Sequence, residues 1–81
     1  MRMVYIAKER DSVVGLRLAG VQSFMLREDK EIIEKVKELS NDQDVGIINV
    51  TKEVYKIAKE ELDNIKENKS FPLVVVMPDI G

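Results

Sequence analysis

Val45-Gly46-Ile47-Ile48-Asn49-Val50 is a nearly unbroken apolar run, preceded by the turn-forming Asn41-Asp42-Gln43-Asp44 and followed by Thr51. Strands covered on both faces read this way, because neither side of the pleat meets water. The run is therefore expected to be a central strand. Thr51 follows it as a helix cap, its hydroxyl placed to accept a free amide hydrogen of the next turn. In the helix that Thr51 opens, Val54, Ile57, Ala58, Leu62 and Ile65 line one stripe at helical spacing. Ser70 and Pro72 bracket the start of a last strand, Leu73 to Met77, which Pro78 ends.

Upstream of the central run, Ile32, Ile33, Val36 and Leu39 recur at helical spacing behind Asp29, the expected N-cap, while Glu31 and Lys35 lie four apart on the opposite face. Val21 to Leu26 reads as a strand with a weaker pattern, Gln22 and Ser23 preceding Phe24, Met25 and Leu26, as suits an edge. Met3 to Ala7 is the first strand. It runs into the polar loop Lys8-Glu9-Arg10, after which Asp11 is placed to cap a short helix, Ser12 to Ala19, ended by Gly20 as a left-handed cap.

Strand, helix, strand, helix, strand, helix, strand implies a parallel sheet, since parallel neighbours need long crossovers and these are right-handed. The expected fold is α/β: a three-layer sandwich with a four-stranded parallel sheet in the order 2-1-3-4, flavodoxin-like or receiver-like, filling residues 1–81 as one domain. Its switch point lies between strands 1 and 3, ringed by Lys8, Glu9, Asp11 and Thr51.

Composition removes many functions. With 81 residues there is room for one core only. Lys plus Arg number 13 and Asp plus Glu 15, a formal charge of -2 with the signs interleaved, which disfavours phosphate-backbone binding. The longest apolar run, Leu73 to Met77, is too short to span a bilayer, and no signal-peptide pattern opens the chain, so a cytoplasmic location without membrane insertion is expected. Cysteine and histidine are both absent, which removes disulfides, thiolate nucleophiles, imidazole bases and the common zinc sites.

Receiver domains of two-component signalling share this layout and carry a phospho-accepting Asp after strand 3. Here that position reads Asn49-Val50-Thr51, with no carboxylate. A Mg²⁺-dependent, phosphorylated receiver-like domain is the alternative function. A third reading places a carboxylate and lysine site, Glu9 with Lys8, at the switch point. Glu9 and Asp11 are otherwise a loop charge and a helix cap. The loop from Lys8 to Asp11 holds no glycine, which argues against a phosphate cradle, and Gly15 and Gly20 suit helix packing and a cap. Arg17 stands as a lone cation amid Val13, Val14, Leu16, Leu18 and Ala19; either its stem covers the core with the head at solvent or Asp11, or it anchors a partner surface.

The stretch Arg10-Asp11-Ser12-Val13-Val14-Gly15-Leu16-Arg17-Leu18-Ala19-Gly20-Val21 resembles the first-helix motif of the F subunit of the archaeal (A-type) and vacuolar-type (V-type) rotary ATPases. In that family Arg-Asp, a small hydroxyl residue and Gly-Phe-Arg-Leu-Ala-Gly-Val are typical. Asp44-Val45-Gly46-Ile47-Ile48 with Val50-Thr51-Lys52-Glu53, and Pro72-Leu73-Val74-Val75-Val76 with Pro78-Asp79, resemble its third and last strands. Lys8-Glu9 stands where the family usually has Gly-Asp, and Leu16 replaces an aromatic residue. Family members usually continue into a linker and a C-terminal helix, whereas this sequence stops at Gly81, which reads as a truncated or short form.

The resemblance implies a non-catalytic central-stalk, or rotor, subunit without cofactor or metal. It would bind the D subunit, which forms the coiled-coil shaft, and other head and stalk subunits, and be peripheral to the membrane. The residues expected to meet that partner are Arg10, Asp11, Arg17, Thr51, Met77 and Pro78.

Overall fold

The computed structural model of the chain describes residues 1–8 and 20–78. Its elements run β1 (Arg2–Lys8), β2 (Val21–Leu26), α1 (Asp29–Ser40), β3 (Val45–Val50), α2 (Lys52–Ile57), α3 (Lys59–Asn68) and β4 (Leu73–Val76). The four strands form one sheet in the order β2-β1-β3-β4. Every neighbouring pair is parallel. The expected order and the central place of Val45 to Val50 are both found.

Strand alternation divides the side chains between two faces. Val4 and Ile6 on β1, Ile48 and Val50 on β3, and Val74 and Val76 on β4 share one face, since Val4 pairs with Ile48, Ile6 with Val50, and these with Val74 and Val76. Against this face pack Ile32, Val36 and Leu39 of α1, Val54 of α2, Ala58, and Leu62 and Ile65 of α3, in a single apolar core with Phe24 and Leu26 at its border. All three helices therefore form one layer. The expected third layer, the helix Ser12 to Ala19, lies outside the described residues, as does its cap Asp11. Gly20 carries a φ of +86°, the left-handed conformation expected of it.

The second face is covered unevenly. Tyr5 and Ala7 on β1 are buried, Ile47 and Asn49 on β3 are half-buried, and Leu73 and Val75 on β4 are exposed. Asn49, the polar residue of the central run, donates its side-chain amide to the Val4 carbonyl at 3.0 Å, which satisfies a backbone acceptor in the middle of the sheet.

Four local expectations change. The N-cap of α1 is Glu28, with Asp29 the first helical residue, because the Asp29 carboxylate turns to Lys8 at the end of β1, 2.9 Å away. Glu31 reaches back to the Glu28 amide at 3.2 Å, so Lys35 pairs with Glu38 at 2.6 Å and lies 4.7 Å from the centre of the Phe24 ring. The single helix after Thr51 is divided at Ala58, which ends α2 and opens α3 with φ -107° and ψ 30°. Finally, the last strand stops at Val76, one residue short of Met77.

Candidate functional site

The carboxyl ends of the strands form the rim where open parallel sheets of this kind place their sites. Three of the expected residues meet there. Thr51 follows β3 directly, with its N–H donating to the Ile6 carbonyl at 3.4 Å and its Oγ1 accepting from the Val54 N–H at 3.1 Å. It caps α2 from an extended backbone, the geometry an N-cap threonine needs. Met77 follows β4 and its N–H donates to the Val50 carbonyl at 2.8 Å, which sets it beside Thr51 across the β3 and β4 ends. Pro78 comes next and is exposed. Arg10, Asp11 and Arg17 lie outside the described residues, as does Glu9.

Thr51→Ala removes the cap oxygen and is expected to cost about 1 kcal/mol of folding stability. Urea denaturation checks it, and Thr51→Ser should return most of the loss.

Lys8, the other described member of the switch-point ring, has its side chain only 19% exposed and held by Asp29. That bond ties the end of β1 to the start of α1, whose first turn carries the carboxylates of Asp29 and Glu31, where the dipole favours negative charge. Lys8 is thus committed to an ion pair, as Thr51 is to a cap. Among the described residues no group of three or more Asp, Glu, His or Cys is placed to hold a metal ion, and no helix is long and apolar enough to cross a membrane.

A cluster that sequence reasoning missed lies across the break at Ala58. The Tyr55 hydroxyl donates to Asp63, Lys59 pairs with Asp63 at 3.2 Å, and the Lys66 ammonium sits 5.2 Å from the centre of the Tyr55 ring. The Tyr55 hydrogen bond holds the Asp63 carboxyl below its ordinary pKa. The same partner raises the pKa of Tyr55 and of Lys59, each through its bond to Asp63. Tyr55, Lys59 and Asp63 recur every four residues, the spacing that could have revealed them. The cluster joins α2 to α3 and lies away from the rim.

The described part of the chain is a small all-parallel α/β domain, and the two described members of its switch-point ring, Thr51 and Lys8, are held by a cap and an ion pair. The chain belongs to the ATP synthase (F/14-kDa) subunit family, whose model matches residues 3–81. It is similar to the F subunit of the A-type ATP synthase of three archaea. With that of Pyrococcus furiosus it is 33% identical over 81 residues, covering 94% of this chain and 74% of the relative. With that of Thermoplasma acidophilum it is 32% identical over 75 residues, covering 93% and 72%. The Methanocaldococcus jannaschii protein is 27% identical over 77 residues, covering 94% and 74%. As a member of a family of ATP synthase subunits, the chain works in a complex with other subunits.

Proposed function

We propose that this chain is a non-catalytic rotor subunit in the central stalk of an A-type ATP synthase, where it binds the coiled-coil shaft subunit and lies at the cytoplasmic side of the membrane. Catalysis of ATP synthesis or hydrolysis is then the work of other subunits. The observation that carries this reading is the state of the rim. Thr51 caps α2 and Lys8 is paired with Asp29, so neither stands ready as a nucleophile or base. Asn49, near the end of β3, spends its amide on the Val4 carbonyl. A rotor part must transmit torque without slipping, which calls for a rigid sheet and a specific interface. The burial of β1 on both faces and the undivided core supply that rigidity.

The residues assigned to this interface are Arg10, Asp11, Arg17, Thr51, Met77 and Pro78. Titration calorimetry with the cognate coiled-coil shaft subunit is the test. A dissociation constant below about 1 μM is expected for a specific interface of this kind. Absence of heat and of co-elution at roughly 50 μM would overturn the proposal, since the energy left over would be under about 6 kcal/mol.

A further inference from the structure

The buried stripe Val54, Ala58, Leu62 and Ile65 keeps helical spacing through the point where α2 ends and α3 begins. Backbone bonds flank that point in the helical pattern: the Ala58 N–H donates to the Val54 carbonyl and the Leu62 N–H to the Ala58 carbonyl, each at 2.9 Å. Alanine, lysine and glutamate, which fill positions 58 to 61, are among the best helix formers. Ala58 brings no side-chain cap to α3. The amides of Lys59, Glu60 and Glu61, the first turn of α3, therefore lack intrahelical partners at a place where residue type and apolar spacing both favour one unbroken helix.

Tyr55 crosses this break. Its hydroxyl donates to Asp63, and the Lys66 ammonium lies 5.2 Å from the centre of its ring. In a straight helix Asp63 would stand about 12 Å further along the axis and Lys66 about 16 Å. Helical side chains also lean toward the N-terminus, so Tyr55 would lie over the preceding turn, away from both. The Tyr55 to Asp63 bond and an unbroken helix exclude each other. The lowered pKa of Asp63, caused first by the Tyr55 hydroxyl, agrees with a bond made to the ionised carboxylate.

We propose that Tyr55 and Asp63 form a conformational latch: their bond holds the break at Ala58, and its release lets Lys52 to Asn68 run on as one helix. The latch sets the direction of α2, which packs over β1 and β3, against that of α3, which packs over β4. Because α2 starts from its cap Thr51, the latch positions that part of the rim from beyond the break. It does not rest on the rotor reading.

The test is amide hydrogen exchange followed residue by residue by NMR on the whole chain, with the Cα carbon shift of Ala58 read alongside. In wild type the amides of Lys59, Glu60 and Glu61 are expected to exchange at least about tenfold faster than that of Leu62. Tyr55→Phe, which keeps the ring, and Asp63→Ala, which keeps the hydroxyl, each remove the bond. In both, the same amides are expected to slow by about tenfold or more and the Ala58 shift to become helical. Either variant decides the matter if the other fails to fold. Asn64→Ala, which raises helix propensity in α3 without touching the bond, is expected to leave the break in place. A folded Tyr55→Phe or Asp63→Ala chain that keeps fast exchange at these amides overturns the latch, whatever its melting temperature. Slow exchange there in wild type, or closure of the break by Asn64→Ala, overturns it equally.

Discussion

Ile48→Ala is expected to lower folding stability by about 3 to 4 kcal/mol, a large share of what a domain of this size possesses. Ile48 is fully buried in the central strand, with Val4 and Val74 beside it in the sheet. It lies in the core that the helices cover. Removing its three outer carbons leaves a cavity that a close-packed interior cannot fill by small shifts. Differential scanning calorimetry should show the midpoint falling by roughly 15 °C. The neighbouring Ile47→Ala is the control. Ile47 is half-buried on the second face, so its loss should cost only about 1 kcal/mol. Equal effects at the two positions would show that the assigned division of faces is wrong.

Val50→Asp is expected to unfold the chain at pH 7, at a cost of about 4 kcal/mol or more. Val50 is 0% exposed, paired with Ile6 and Val76 on the helix-covered face. Among the described residues no buried polar or charged side chain stands ready to meet a carboxylate there. Burial raises the folded-state pKa of the introduced carboxyl above its unfolded value of about 4. The folded state then binds the proton more tightly, so structure returns as pH falls toward 4 and is lost as pH rises through the raised pKa. Far-ultraviolet circular dichroism across that range, compared with wild type, checks the sign.

Thr51→Asp, one residue along, should remain folded with a change within about 0.5 kcal/mol, because aspartate is as good an N-cap as threonine. A single step along the chain separates a lethal carboxylate from a harmless one. The step moves the side chain from the helix-covered face to the open rim.

Much of the architecture was legible because its causes are local. The apolar run Val45 to Val50 announces a strand buried from both sides, and both Thr51 and Gly20 adopt the conformations their residue types favour. Of the stripes Ile32, Ile33, Val36, Leu39 and Val54, Ile57, Ala58, Leu62, Ile65, which repeat at the helical period, all are buried except Ile33 and Ile57, which are half-buried at the border of the core. Parallel connectivity with right-handed crossovers leaves few strand orders, and 2-1-3-4 was one of them. The site was less legible. Thr51 and Met77 do come together, through the Val50 carbonyl and the end of β1.

What the amino-acid sequence determined alone was most of the side chains that had to leave water, and with them the four strands, their parallel pairing and their order. That follows from short-range periodicity and from apolar burial, the largest favourable contribution to folding in a chain of 81 residues. The tertiary structure decided the pairings between charges. Lys8 takes Asp29, Lys35 takes Glu38, and Tyr55 takes Asp63 across a break at Ala58 that no helix-breaking residue announces. Partly exposed ion pairs differ from their alternatives by less than about 1 kcal/mol, so only the final placement of the elements selects among them. It also decided that cover on the second face fades toward β4, because exposure of Leu73 and Val75 depends on what packs over a strand, which its own residues do not state.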